Sequence, residues 1–181
     1  MRRTTKTLGI ALALVLGLVG AAMAADADRA KAIKEARDTV AAFKKADPGM
    51  SKFFNAAVGY AVFPTVTKGA AGIGGAGGSG VLFEKGKPTG KTSLSQVTIG
   101  AQLGGQTYSE IIFFQSAPAL NDFKSGTLAL AAQVSAVAAK AGASDNADYQ
   151  NGVAVFTSGK GGLMFEASVG GQKFTFEPYG K

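Results

Sequence analysis

Hydrophobic and polar positions divide the chain into stretches of different texture. An uncharged apolar run extends from Leu8 to Gly20, behind Arg2, Arg3 and Lys6. From Asp28 to Ala46, Ile33, Ala36, Val40 and Phe43 recur at spacings of three and four, which places them on one helical face. Arg29, Lys31, Lys34, Arg37, Lys44 and Lys45 populate the remainder, and Asp47-Pro48-Gly49 stops the pattern. A second short helix is predicted from Pro48 to Ala56, presenting Met50, Phe53 and Phe54.

After Asn55 the texture changes to glycine with β-branched or aromatic residues. Tyr60 to Thr67 reads as a short strand, with Pro64 marking an edge or a bend. A glycine- and alanine-rich run from Lys68 to Gly80 ends in the strand-like Val81-Leu82-Phe83. Ser95 to Leu103 and Gln106 to Phe114 are the next strands, parted by Gly104-Gly105. The C-terminal stretch reads as a meander: Val153 to Phe156, a turn at Ser158-Gly159-Lys160-Gly161, Leu163 to Val169, a turn at Gly170-Gly171, and Lys173 to Phe176. Thr127 to Ala139 is open at this level. Its alanine content favours a helix, while Leu128, Leu130, Ala132, Val134 and Ala136 alternate as in a half-buried strand.

The apolar run at the start has the form of a secretory leader. A charged opening, a short apolar stretch and the small-x-small site Ala22-Met23-Ala24 predict cleavage before Ala25. The alternative is a membrane anchor, but the stretch is short for spanning and its last third is alanine. Removing residues 1–24 takes three positive charges, so the formal charge falls from +7 to +4 over the 157 residues left. That length fits a single domain, 25–181, with a helical segment 25–56 and a mainly β remainder 57–181. The expected location is periplasmic or secreted, with peripheral membrane contact as a further possibility. With no cysteine, such a domain must be stable by packing alone. A modest positive balance permits contact with an anionic surface, and the basic residues lack the clustered pattern of a nucleic-acid binder.

Several catalytic patterns fail on their spacing. Gly72-Ile73-Gly74-Gly75-Ala76-Gly77 matches a dinucleotide-binding run letter for letter. It leads into Gly78-Ser79-Gly80-Val81, which cannot open the helix that would receive a pyrophosphate. Gly86-Lys87-Pro88-Thr89-Gly90-Lys91-Thr92 is one residue short of a phosphate loop and contains a proline; it reads as a lysine-bearing turn. The chain has neither histidine nor cysteine, so imidazole acid–base work, thiol nucleophiles and ordinary zinc sites are excluded. Glu84, Glu110, Glu166 and Glu177 are scattered singly, and nothing nominates a carboxylate pair. The reading is of a non-enzyme with no cofactor, no metal and no nucleotide.

The glycines read as structural. They let a neighbouring backbone or ring approach closely and let strands coil sharply. Phe63, Phe83, Phe113, Phe114, Phe156, Phe165, Phe174 and Phe176 supply the rings to fill that space. The expected fold is α+β: a strongly curved antiparallel sheet, or a small barrel or sandwich, with N-terminal amphipathic helices and a short mid-chain helix.

Particular stretches carry a resemblance. Gly59-Tyr60-Ala61-Val62-Phe63-Pro64-Thr65-Val66-Thr67-Lys68-Gly69, with the glycine run to Gly80-Val81-Leu82, is similar to the signature of the SYLF domain family. Gly104-Gly105-Gln106-Thr107-Tyr108-Ser109-Glu110-Ile111-Ile112-Phe113-Phe114 resembles its second hallmark, and Gly162 to Gly171 its third. The resemblance implies a small antiparallel β-domain with packed helices and no enzymatic activity, and a strand for Thr127 to Ala139. Eukaryotic members bind phosphoinositide membranes, partly through a basic amphipathic helix, and some bind and bundle actin. The residues that correspond in helix type are Arg29, Lys31, Lys34, Arg37, Lys44 and Lys45, and Lys68 sits within the signature. In an envelope compartment the equivalent partners are anionic membrane lipids: phosphatidylglycerol, cardiolipin or lipid A phosphates. Other partners in view are an envelope protein, recruited by β-augmentation, and a ligand held inside the sheet. The helix itself has two possible uses. Its apolar face caps the core, which the sequence favours, or it lies on an anionic membrane.

Overall fold

A computed structural model describes residues 5–71, 73–99, 104–128, 130, 137–138, 140–159 and 171–180, with side chains from Met23 onward except at 70, 71, 73, 98, 99, 104 and 138. The chain forms two compact units, Met1–Lys34 and Glu35–Lys181. Helix α1 (Thr5–Ala46) starts in the first and ends in the second. It is longer than the amphipathic pattern predicts, because no proline or glycine cluster separates the alanine- and leucine-rich leader from Asp28. Among the residues with described side chains, no helix is long and apolar enough to cross a membrane. The run from Leu8 to Gly20 lies ahead of those residues.

In the second unit, Asp47 caps a 3₁₀ turn at Pro48–Met50, accepting a hydrogen bond from the Gly49 amide at 3.1 Å. Helix α2 (Ser51–Ala56) follows. Strands β1 (Gly59–Ala71), β2 (Ile73–Glu84), β3 (Lys87–Ile99) and β4 (Gly104–Phe114) come next, then helix α3 (Ala117–Ser125). Strands β5 (Val137–Ala138), β6 (Val153–Gly159) and β7 (Gln172–Pro178) complete the chain. The sheet order is β5-β6-β4-β1-β2-β3-β7. Only the short β5–β6 pair is parallel; the other neighbours are antiparallel. Among the described residues the ends of this order do not pair, so the sheet is curved but not closed into a barrel. The fold is the expected α+β one, and of the three sheet forms in view it takes the open curved one.

Two local expectations change. Strand β3 begins at Lys87, so most of Gly86 to Thr92 is strand and the turn is Lys85-Gly86. Both turn residues have positive φ, 51° and 74°, which suits the right-handed twist of a tight hairpin. Pro64 lies in a central strand rather than at an edge. The register of β1 shifts there against both neighbours, and Ser109 Oγ donates to the Pro64 carbonyl at 2.8 Å. The bulge accommodates a residue that cannot donate to the ladder. Of Thr127 to Ala139, Val137 and Ala138 are strand, Thr127 and Leu128 belong to no regular element, and most of the remainder lies outside the described residues. The expected strand Leu163 to Val169 also lies outside them.

The sheet has an apolar layer on each face. On one, Ala61, Phe63, Leu82, Leu94, Ile112, Phe114, Val155 and Phe174 pack with Leu120 and Phe123 of α3. On the other, Phe53 of α2 sits 4.8 Å from Phe156 and 5.6 Å from Phe113, with Phe43 of α1 also buried. Large rings against glycine account for the curvature. A Cβ on Gly80 would lie 2.7 Å from the Phe63 ring, and one on Gly90 would overlap the Phe176 ring. These positions admit only glycine, and they allow the sheet to coil around its own aromatic residues.

Candidate functional site

The part of α1 within the second unit has distinct sides, and helical geometry decides which residues share each. Ala36 and Phe43, seven apart, are 0% and 2% exposed. This apolar face belongs to the core and is not available to a lipid bilayer.

One flank is basic and aromatic. The Lys44 ammonium lies 4.5 Å from the centre of the Phe54 ring. Phe54 meets Tyr60 edge-on at 5.1 Å, and Tyr60 stacks on Phe83 at 5.2 Å. Burial raises the Tyr60 hydroxyl pKa, and the nearby Arg37 charge partly offsets that. Arg37 and Lys44, seven apart, are exposed on this flank; Lys45 is also exposed, but it lies seven residues from Asp38 and so turns toward the other flank. Lys52 on α2 adds another cation, 5.3 Å from the Phe53 ring. Aromatic rings that hold the stems of basic side chains keep their charged ends at the surface.

The other flank is acidic. Glu35, Asp38, Thr39, Ala42 and Phe43 meet Pro64, Thr65, Ser109 and Ser158 around an open cleft of about 480 Å³. Hydroxyl and carboxylate groups dominate its polar lining, which suits a ligand that donates hydrogen bonds or carries positive charge.

Asp47 fixes the end of α1 between these flanks. Its carboxylate accepts from the amides of Gly49 at 3.1 Å and Ser144 at 2.7 Å. Burial alone would raise its pKa; hydrogen bonds from Ser144, Gly49 and Gly142 outweigh that and hold it below the usual carboxylate value.

The residues nominated by sequence fall into separate groups. Arg37, Lys44 and Lys45 are in the second unit. Lys31 and Lys34 are exposed and Arg29 is half-buried on the same helix, in the first unit. Lys68 is half-buried within β1, opposite Ala76 and Gln106. At a strand rise of about 3.3 Å per residue it lies roughly 26 Å along β1 from Tyr60, so it does not join the basic–aromatic flank. Sequence reasoning did not find Phe54, Tyr60 and Lys52 as part of this surface. Phe54 has a signal in retrospect: in the one-and-a-half-turn α2, Phe53 and Phe54 must face different ways, and only one can be core. Among the described residues, no group of three or more acids or other strong ligands converges as a metal site would require.

Comparison with known proteins agrees with this architecture. Residues 95–178 match the family described as Ysc84, Las17-binding protein actin regulator. That stretch is similar to the Ysc84 (SYLF) domain family. The match takes in β4, α3, β5, β6, β7 and part of β3. The chain is also similar to beta cell expansion factor A of Aeromonas veronii, with 29% identity over 130 residues, 70% of this chain and 49% of that protein. The chain thus spans about half the length of that relative. The likeness is to a family described as an actin regulator.

Proposed function

We propose that this SYLF protein is a non-catalytic module that associates peripherally with anionic lipid headgroups through the exposed bases of α1. The observation that carries the reading is the arrangement of Arg37, Lys44 and Lys45 around a helix whose apolar face is occupied by the core. Attachment is then electrostatic and does not involve insertion of that face. Each basic side chain near an anionic surface contributes about 1 kcal/mol, which falls off within a Debye length. Glu35 and Asp38 on the opposite flank reduce the sum, so binding is weak, reversible and sensitive to salt. Arg29, Lys31, Lys34 and Lys68 are included as candidate headgroup contacts, on the family's basic-helix precedent. The expected setting is the cell envelope, after removal of residues 1–24. The mass of the exported protein tests this directly: a mature chain that begins at Ala25 supports the leader, and a retained Met1 contradicts it.

The lipid reading is tested by reversing the exposed basic charges of α1 within the second unit. Arg37→Glu, Lys44→Glu and Lys45→Glu combined should abolish sedimentation with phosphatidylglycerol vesicles and leave the thermal midpoint nearly unchanged. Undiminished sedimentation of this variant removes these three residues from the binding surface.

The acidic cleft supports a second reading, that of a protein-interaction module. Its occupant would be a basic segment of a partner, and the family description names a protein-binding actin regulator. Glu35→Lys with Asp38→Lys should then disrupt partner capture without weakening vesicle binding.

A further inference from the structure

Among the described residues, the sheet face that carries Phe63 and Phe174 is largely apolar, and polar side chains from several strands meet at one place on it. Glu110 on β4 is 0% exposed. Its Oε2 accepts a hydrogen bond from Gln172 Nε2 on β7 at 3.1 Å. These strands are not neighbours: β1, β2 and β3 lie between them in the sheet. The bond therefore spans the interior of the curve, from the middle of the sheet to its β7 end. Phe63 and Phe174, with centroids 6.1 Å apart, cross the same interior as apolar companions.

Among the described residues, no opposite charge accompanies the Glu110 carboxyl. From its own strand it is faced by Tyr108, from β1 by its register partner Phe63, from β6 by its register partner Thr157, and from β7 by Gln172. Gln96 on β3 is buried beside Gln172 as its register partner. Among the described residues, Glu110 Oε1, Gln172 Oε1 and the Thr157 hydroxyl are buried without hydrogen-bond partners, and the Tyr108 hydroxyl lies beside the Gln172 side chain. A protonated carboxyl suits such surroundings, because it can donate to one of these acceptors; a carboxylate would leave a buried charge uncompensated.

We propose that Glu110 and Gln172 form a protonation-sensitive clasp, closed when Glu110 is neutral, that ties β7 across the interior of the sheet. Burial pushes the Glu110 pKa up to about 7, with the Gln172 hydrogen bond acting in the opposite direction. Between the ordinary carboxyl value of 4.5 and about 7, the folded chain binds more protons than an opened one. Stability of the closed form therefore falls as pH rises through that window and levels off above it. The clasp holds in mildly acidic surroundings and loosens in mildly alkaline ones, and β7, at the end of the sheet order, is the strand it frees.

Amide hydrogen exchange of the whole chain, expressed as protection relative to unstructured peptide, tests this at pH 5.5 and 8.5. If opening restores an ordinary carboxyl, protection of the β7 amides from Lys173 to Glu177 should fall by up to roughly 30-fold between the two pH values. Amides of β1 and β2 should change far less. Glu110→Gln keeps a neutral hydrogen-bonding side chain and should remove the pH dependence of β7. Gln172→Leu should leave β7 poorly protected at both pH values. The proposal is overturned if β7 protection is independent of pH in the unmodified chain, or if Glu110→Gln shows the same loss. Should Glu110→Gln fail to fold, carbon-detected titration of Glu110 decides: a midpoint near 7 supports the clasp, and one near 4.5 overturns it.

Discussion

Phe43 faces two mutually exclusive roles in a lipid-associated helix, since a ring packed on a sheet is not available to a bilayer. At 2% exposure it belongs to the sheet. Phe43→Ala should therefore lower folding stability by about 3–5 kcal/mol, read from urea unfolding, with vesicle affinity of the folded fraction unchanged. Asp47 stabilises by a different mechanism. Its carboxylate joins the α1 terminus to the turn at Ala143–Asn146 through the Ser144 amide. Asp47→Ala should cost about 1–3 kcal/mol by leaving buried amides unpaired. Because its folded pKa is depressed, the stability it adds is present above the ordinary aspartate value and is lost as pH falls through the folded value. Acid unfolding curves of the native chain and Asp47→Ala should accordingly converge at low pH. Glu110 was partly legible in the sequence. In Tyr108-x-Glu110-x-Ile112-x-Phe114 it shares the alternation of three apolar residues, so strand period alone puts it on the inward face. Its partner Gln172 was not legible, because the contact depends on how far the sheet curls.

Whole elements were legible where local pattern and tertiary packing agree. Of the predicted helical face, Ala36 and Phe43 are buried and Ile33 and Val40 half-buried, and α2 and α3 form beside their proline and glycine signals. The strands were harder to read. Glycine-rich β2 has little strand propensity, and it forms because β1 and β3 flank it and Phe63 closes over Gly80. Gly80→Val should abolish soluble folded protein or lower its stability by several kcal/mol, measured by circular dichroism and thermal melting, because a Cβ there meets the Val62 carbonyl as well as the ring. β3 was read too short because Pro88 and Gly90 read as turn residues. Within the sheet, Pro88 sits opposite Phe83 at a register shift, and Gly90 makes room for Phe176. The basic residues of α1 were legible as a set, and their grouping was not. Only the folded helix separates Arg37 and Lys44, beside Tyr60 and Phe54, from Glu35 and Asp38 at the cleft.

At the scale of the molecule, the proposed anionic partner would meet the exposed bases of α1, since the apolar face of that helix is buried against the sheet. Residues 95–178 resemble the Ysc84 (SYLF) family, and within the proposed lipid reading the burial of the α1 apolar face favours electrostatic attachment over insertion. Electrostatic attachment is distinguished from insertion by its response to ionic strength, since screening weakens surface charge contacts and leaves apolar burial intact. The decisive measurement is co-sedimentation of the purified chain with phosphatidylglycerol-rich and with neutral vesicles across a salt series. The account predicts binding to the anionic vesicles alone, strongest at low salt and lost near molar salt. Binding that persists at high salt, or absence of binding to any vesicle at low salt, would contradict it.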